Sequence, residues 1–457
     1  MSSAAVTVVP RKRRWTELLL IVFALVLGLG GYAVVDLNVS SGLPEAFWYV
    51  VAGCSLLALV AHLAVRWRLP YADPVILPCV ILLNGLGLTM IHRIDLINSP
   101  PAAGARQQLI WTVLGVLLFV LVAVALRDHR PLQRFTYTLG LSGIVLLLLP
   151  LVPVLGSEKF GARIWIEVGP YSFQPAEAAK ILLSIAFASY LVEKRDVLAL
   201  AGYRILGIDL PRARDLGPIL VMWLLSLAIL VFQRDLGTSL LFFGLFVMML
   251  YVSTERAGWV VLGVLLFAVG AWFGFANFSH VRVRVGAWLN PFEDFDTSYQ
   301  VIVAQYGMAW GGLLGTGLGL GRPGLTPLAR SDFIAAAIGE ELGATGLMAL
   351  IMVYGLVVAR GLRTALQCRE PFGKLLAAGL SFAFALQVFA IIGGVTRLLP
   401  LTGLTTPFMS QGGSSLVSNW VVAGLLLVIS HHVRKPIATI TDDSPDAQTT
   451  QLIKVSA

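Results

Sequence analysis

Residues 16–36 read TELLLIVFALVLGLGGYAVVD, with charge only at Glu17 and Asp36, directly after the basic stretch RKRRW at 11–15. A bilayer core about 30 Å thick is crossed by roughly 20 apolar residues in a helix, so this run predicts a membrane span. It is about twice as long as a secretory h-region and no small-residue cleavage site follows it, which argues against a cleavable signal peptide. Working outward, comparable runs recur at 47–65, 73–91, 108–126, 135–153, 177–193, 217–232, 236–253, 257–275, 334–359, 375–394 and 413–430, twelve in all. Two of the divisions carry charge: Lys180 lies inside 177–193, and Gln233, Arg234 and Asp235 separate 217–232 from 236–253. The expected fold is an all-α polytopic membrane domain over 16–434. A basic cytoplasmic segment, 1–15, precedes it, and a polar tail of disordered composition, 435–457, follows it.

Composition agrees. Of 457 residues, 57% are hydrophobic and 13% are charged, about half the charge of an ordinary soluble domain, and a soluble fold is excluded. Cys54, Cys79 and Cys368 are far apart and include no CxxC pair, which removes zinc ribbons, disulfide scaffolds and thioredoxin-like redox chemistry. Six histidines include no HExxH. The net charge of +8 would suggest nucleic acid only if the basic residues shared an exposed patch. With the N-terminus inside, alternation of twelve spans instead places 22 of the 33 lysines and arginines on the cytoplasmic side, ten outside and Lys180 within a span. That is the positive-inside bias. Topology accounts for the charge, no nucleic-acid partner is expected, both termini fall in the cytoplasm, and the long segments 154–176 and 276–333 fall outside.

Ionisable groups at membrane depth cost about 2.5–3.5 kcal/mol on insertion scales and are functional candidates. Glu177 and Lys180, three apart on one helix face, can pair, either as structural glue or beside a substrate. Asp235 in QRDLGT has Arg234 to neutralise it. Glu340 and Glu341 in GEELG project in different directions and each needs a partner, while Gly339 and Gly343 have the GxxxG spacing that permits close helix approach. The segment GLGRPG at 319–324 matches GxGxxG but lacks the βαβ context of a dinucleotide fingerprint. It predicts a tight, partly re-entrant backbone, tolerated where it lines a cavity or is buried in protein. The run WLNPFEDFDTSYQ (288–300) places Glu293, Asp294 and Asp296 within four residues, beside aromatics and after Arg282 and Arg284. Such surroundings can tune a carboxylate toward general-base work, and the arginines could hold a pyrophosphate. A solvated acidic turn is the other reading, and the residues alone leave both open.

Five blocks in order carry a resemblance from about residue 107 to 435. They are ARIWIEVGPYSFQPAEAAKI (162–181), QRDLGTS (233–239), WLNPFEDFDTSYQ, ARSDFIAAAIGEELGATG (329–346) and GLTTPFMSQGGSSL (403–416). Together they resemble the signature elements of the SEDS (shape, elongation, division, sporulation) family of polytopic peptidoglycan glycosyltransferases. Departures from the family pattern are Ala176 for serine, Arg234 for proline, Gln411 for tyrosine, and a stretch from Asp294 to Tyr299 that is about one residue short and lacks the usual glycines. The wording GVTRLLPLTGLTTP and two additional N-terminal spans are similar to the elongation-type members of actinobacteria.

The resemblance implies a ten-helix core plus those two spans, in a bacterial cytoplasmic membrane. It implies polymerisation of lipid II, the lipid-linked disaccharide-pentapeptide, into β-1,4 glycan strands at the outer face, with undecaprenyl pyrophosphate leaving. Asp294 would be the general base for the acceptor 4-hydroxyl, with Asp296 a rival and Glu293 a weaker one. Substrate or pyrophosphate contacts would fall to Arg282, Arg284, Arg163, Lys180, Gln174, Ser410, Gln411 and Ser414. Supporting roles would fall to Glu177, Asp235, Asp332, Glu340 and Glu341. A divalent cation, Mg2+ or Mn2+, could assist the pyrophosphate, although no compact ligand cluster demands one, and the implied partner is a class B penicillin-binding protein transpeptidase. The competing readings are a lipid II flippase or other transporter using Glu177, Lys180, Asp235, Glu340 and Glu341 as a polar path, a division-type polymerase, and a scaffold in which the charged sites are structural glue, the first being of a different activity class. Against the transporter stand the absence of detectable inverted repeats and the crowding of motifs on one side.

Overall fold

The computed structural model describes residue 12 and residues 14–97, 101–159, 161–169, 171–195, 203–205, 208–210 and 213–436. Most of the basic segment predicted at 1–15, the tail beyond 436 and the loop arginines Arg204, Arg212 and Arg214 lie outside the residues or side chains described. Among the described residues, eleven helices are long and apolar enough to cross a membrane. In chain order the first eight helices are α1 (Arg14–Ser40), α2 (Glu45–Arg68), α3 (Ile76–Asp95), α4 (Gly104–Ala125), α5 (Thr136–Leu148), α6 (Pro175–Glu193), α7 (Ala213–Phe232) and α8 (Leu236–Thr254). They continue with α9 (Gly258–Asn277), α10 (Ser279–Leu289), α11 (Phe295–Gly311), α12 (Ile334–Glu341), α13 (Gly343–Gln367), α14 (Pro371–Val395) and α15 (Gly413–Arg434). The run predicted at 217–232 is the apolar part of α7.

Burial sorts these helices into a centre and a rim. Between 78% and 89% of the apolar windows of α3, α6, α14 and α15 are buried, against 17% to 33% in α1, α2, α4, α5, α9 and α13. The rim helices point Leu19, Phe23, Val264, Trp272 and Met352 outward, as a lipid-facing surface requires where no water is present to penalise apolar exposure. Small residues set the closest approaches: a Cβ on Gly28 of α1 would lie 3.1 Å from Gly85 Cα of α3. Lys12 sits over the Tyr71 ring, 5.5 Å from its centroid, and Tyr71 packs on His431, so both ends of the described chain meet at one end of the bundle.

Two expectations need correction. The run predicted at 334–359 is not one helix, because the chain breaks between α12 and α13 at Gly343, with φ +69°. A Cβ there would stand 2.3 Å from Gly315 N, so the returning loop 312–321 occupies the space that a continuous side-chain-bearing helix would fill. The long connections are also not loops throughout. Segment 154–176 carries an antiparallel meander, β1 (Gly156–Lys159), β2 (Ala162–Val168) and β3 (Tyr171–Phe173). Segment 276–333 contains α10, α11 and a 3₁₀ turn at Pro323–Leu325. A short hairpin of β4 (Tyr203–Ile205) and β5 (Ile208–Leu210) lies between α6 and α7.

Candidate active site

At the end of the bundle away from Lys12 and His431, a cleft of about 400 Å³ opens between the meander, α10, α11 and the loops before α12 and α15. Arg234, Arg284 and Arg397 line it together with the carboxyls of Asp235 and Asp332. Trp165, Trp288 and Phe333 supply apolar wall, and Gln174, Thr297, Gln300 and Gln411 supply amides and a hydroxyl. The arginines are fixed by carbonyls. Arg284 Nη1 donates to Thr402 O at 3.1 Å and Leu401 O at 3.4 Å. Arg397 Nε donates to Trp288 O at 3.0 Å, and the Trp288 indole donates back to Arg397 O at 3.0 Å. Arg397 holds a left-handed backbone, φ +63°, conformational strain of the kind that clusters at functional sites.

Asp235 is buried as the N-cap of α8. It accepts from Thr238 N at 3.0 Å, and from Gln174 Nε2 at 3.2 Å, which ties the caps of α6 and α8 together beside the cleft. Asp294 is exposed at the N-cap of α11, accepting from the main-chain N–H of Thr297 at 3.2 Å and from its hydroxyl. Those hydrogen bonds from Thr297 hold its carboxyl below the usual carboxylate range. Asp294 does not itself line the cleft, but Thr297 does, so the aspartate stands at its rim. Glu293 and Asp296 are exposed beside it. Asp332, half-buried with its open side on the cleft, has its carboxyl pushed up to about 6 by desolvation, against the opposing pull of the Ser331 side chain and Arg284. Its neighbourhood in the cleft, assembled from distant segments, is what raises it, and residues 329–333 alone carry no sign of that.

Of the other predicted contacts, Gln174, Arg284 and Gln411 reach the cleft, whereas Arg163, Lys180, Arg282, Ser410 and Ser414 are not among its lining residues. Arg282 and Arg284 are two apart on a helix and project to opposite sides; Arg282 is exposed. Ser410 is buried, donating to Ser331 O at 2.6 Å and accepting from Thr406 N at 2.8 Å. That holds the loop carrying Gln411, whose main-chain N–H donates to Arg330 O at 2.7 Å. Arg397, Trp288 and Gln300 were missed in the sequence reading. Trp288 and Gln300 are the two ends of the block WLNPFEDFDTSYQ, and Arg397 lies in the GVTRLLPLTGLTTP stretch just before the last block; nothing else in the sequence marks them.

The predicted Glu177–Lys180 pair forms at 2.8 Å, and Lys180 Nζ also donates to Gln387 Oε1 at 3.0 Å. Gln387 in turn donates to Thr405 O at 2.9 Å, and Thr405 lines the cleft. Lys180 therefore acts on the cleft through two hydrogen bonds rather than by direct exposure. Lys180→Ala should cost about 1–3 kcal/mol, because Glu177 sits in the first turn of α6 where the helix dipole partly supports its charge. The thermal unfolding midpoint and the activity of the cleft should both fall. The swapped pair Glu177→Lys with Lys180→Glu restores stability if only the charge pair matters, and restores activity less if the Gln387 relay is also needed.

Glu340 and Glu341 grip the glycine-rich return loop. Arg322 N donates to Glu340 Oε1 at 2.5 Å, and Gly319 N donates to Glu341 Oε2 at 3.0 Å. Arg93 of α3 closes the set with Nε 2.9 Å from Glu341 Oε1 and Nη2 2.7 Å from Gly321 O. Of the expected GxxxG pair only Gly339 makes a close helix approach, a Cβ there lying 2.9 Å from Met308 of α11; Gly343 lies at the break after α12 and meets the return loop instead, so the two do not form one helix face. Within the predicted 319–324 segment the tight backbone is carried by positive φ at Gly319 and the 3₁₀ turn that starts at Pro323, and it begins earlier than predicted, with positive φ at Gly315 and Gly317. The five acids and bases of the flippase reading thus serve separate anchoring contacts.

A family model for cell cycle proteins, FtsW/RodA/SpoVE, matches residues 74–435. The chain belongs to the FtsW/RodA/SpoVE family. Within it, the chain is similar to the peptidoglycan glycosyltransferase RodA of Mycobacterium tuberculosis, with 50% identity over 436 residues, 93% of this chain and 92% of that one. It is 33% identical over 336 residues to the stage V sporulation protein E of Bacillus subtilis, covering 72% and 87%. Among solved structures it resembles a chain in "Structural coordination of polymerization and crosslinking by a peptidoglycan synthase complex", at TM-score 0.65, 27% identity and coverage of 80% and 99%. It also resembles the rod shape determining protein RodA of Thermus thermophilus at TM-score 0.57, 27% identity and coverage of 80% and 98%. The FtsW/RodA/SpoVE match begins at α3, so α1 and α2 are additions outside the family model.

Proposed function

We propose that this protein is a peptidoglycan glycosyltransferase of the elongation type that polymerises lipid II and releases undecaprenyl pyrophosphate. The observation that carries the reading is the cleft itself: three arginines and two carboxyls converge where the family's sequence blocks meet, and the similar mycobacterial proteins bear that enzyme's name. A pyrophosphate leaves as a stabilised anion, so the chemistry asks for cations at the leaving group and one base at the acceptor hydroxyl. Arg234, Arg284 and Arg397 answer the first need, and Asp294 at the rim answers the second. Asp332 is the alternative base, on the strength of its place inside the cleft. The positive-inside count supports a cleft that faces outward and termini in the cytoplasm.

Mg2+ or Mn2+ fits this site through Asp332, since such ions bind by one or two carboxylates plus phosphate oxygens and water; bound there, the ion would neutralise pyrophosphate charge. The resemblance to a chain from a synthase complex that coordinates polymerization and crosslinking supports a penicillin-binding transpeptidase as partner. The test is reconstitution of purified protein with such a partner and fluorescent lipid II. A ladder of glycan products is expected. Lipid II movement across vesicles without any ladder would sink this reading and favour the flippase.

A further inference from the structure

At the end of the bundle opposite the cleft, the α4–α5 connection carries Asp128 and His129, and the last turn of α15 carries His432. His129 is 1% exposed. Its Nε2 lies 2.9 Å from Glu370 Oε2, and that carboxylate also caps α14 by accepting from the N–H groups of Phe372 and Gly373. An acceptor at that position requires Nε2 to carry the proton, which leaves Nδ1 as a lone pair. His432 repeats the arrangement with its nitrogens exchanged: Nδ1 is 3.0 Å from Val428 O, so Nε2 holds the lone pair.

Both lone pairs face one oxygen. His129 Nδ1 is 3.5 Å and His432 Nε2 is 3.7 Å from Asp128 Oδ1, and the three residues bring one ligand atom each to within 4.8 Å of the others. Among the described residues, His129 Nδ1 has no hydrogen-bond partner, while Asp128 Oδ1 accepts from Arg130 N at 3.1 Å. In these neutral tautomers three electron-pair donors converge on one point, an arrangement that either a proton on an imidazole or a metal cation relieves, while Arg130 Nε stands on the other carboxylate oxygen, 3.8 Å from Asp128 Oδ2. The site is built around the ring: a Cβ on Gly373 would stand 2.4 Å from His129 Nε2, so glycine there admits the imidazole against α14, and Phe372 stacks on it at 6.1 Å between centroids.

We propose that Asp128, His129 and His432 bind a divalent first-row transition ion, Zn2+ by preference, as a structural clamp between the α4–α5 connection and α15. Two imidazoles and a carboxylate are ligands of that class. Bonds of ~2.0–2.1 Å in tetrahedral geometry separate ligand atoms by roughly 3.3–3.5 Å, close to the 3.5 and 3.7 Å found here. Asp128, 35% exposed in its side chain, leaves a fourth position open to water. Glu370 is the orienting partner that fixes the His129 tautomer and extends the clamp to α14. Cys368 and Glu370 form a second triad with His129, but there Cys368 Sγ donates to Glu370 O at 3.4 Å and His129 Nε2 is already bonded. That geometry is satisfied by hydrogen bonds, and the ion belongs on the Nδ1 side.

The experiment uses full-length protein purified without a polyhistidine tag, stripped with EDTA and titrated with Zn2+ and with Co2+. Wild type should take up one equivalent, and Co2+ should give the visible absorption of a low-coordinate nitrogen–oxygen site. His432→Ala and the shape-preserving Asp128→Asn should weaken binding by more than ~100-fold, beyond the ~10–100-fold typical of losing only an orienting partner. Cys368→Ser should bind as wild type does. Thermal unfolding read with and without Zn2+ separates misfolding from lost ligation, because Zn2+ should raise the midpoint of wild type and not of either ligand variant. No stoichiometric uptake by wild type would mean an imidazolium–carboxylate cluster only, and would overturn the proposal. So would uptake that survives both ligand substitutions, or uptake abolished by Cys368→Ser.

Discussion

Asp294→Ala is expected to lower glycan polymerisation by ~10²–10⁴-fold, the usual worth of a positioned general base, with the protein still folded and still binding the proposed transpeptidase partner. Its position explains why the fold should survive. The carboxyl is exposed, and its contacts are a local N-cap with Thr297, so removal costs about 1 kcal/mol at most sites of this kind. Alanine at Glu293 or Asp296 should leave most of the activity, since neither side chain makes that cap. A ladder from Asp294→Ala equal to wild type would remove Asp294 from the chemistry.

The pH profile separates Asp294 from Asp332. Asp294 is held below the usual carboxylate range by Thr297, so it stays ionised throughout the mildly acidic region and cannot produce a limb there. Asp332 is raised to about 6 by desolvation. If its charged form is needed, the rate should fall as pH drops through about 6, and Asp332→Asn should abolish that limb. A limb near pH 6 that persists in Asp332→Asn would assign it to another group. As it stands, Asp294 is a weak base for its task, because a catalytic base works best with a pKa near the working pH. An incoming acceptor hydroxyl that replaced the Thr297 hydrogen bonds and expelled water from the rim would raise it.

How much of this was legible before the structure depends on range. The spans were legible because lipid demands about 20 apolar residues per helix regardless of tertiary context, and the Glu177–Lys180 pair because it is local, three residues along one helix. The break at Gly343 was hidden, since GEELG reads equally well as a helix interior until the return loop at 312–321 is seen to press on it. The converging arginines were hidden for the same reason. Arg234, Arg284 and Arg397 are separated by up to 163 residues and meet only through α10, the α7–α8 turn and the loop after α14. Arg282 and Arg284 looked equivalent in sequence, and only the helical phase of α10 separates them. Gln387, the third partner of Lys180, sits in an apolar run with no motif around it.

Arg93→Ala carries the largest expected cost in stability, about 3–5 kcal/mol. Glu341 is fully buried and Arg93 is 6% exposed. Removing the guanidinium leaves the Glu341 carboxylate with the Gly319 N–H as its remaining contact and strips Gly321 O of its donor. Both losses fall on one loop, the loop whose φ-positive glycines press against the α12–α13 break. The thermal midpoint of the purified protein should drop by roughly 5 °C or more, and polymerisation should fall with it, because α12 follows directly on Asp332 and Phe333 of the cleft wall. A double-mutant cycle distinguishes a true pair from two independent defects. Adding Glu341→Gln to Arg93→Ala should recover part of the loss, since the amide removes the stranded charge, with a coupling of about 0.5–3 kcal/mol. Strict additivity would mean that Arg93 supports the loop through Gly321 O alone, and that the buried ion pair contributes nothing to holding the wall of the cleft in place.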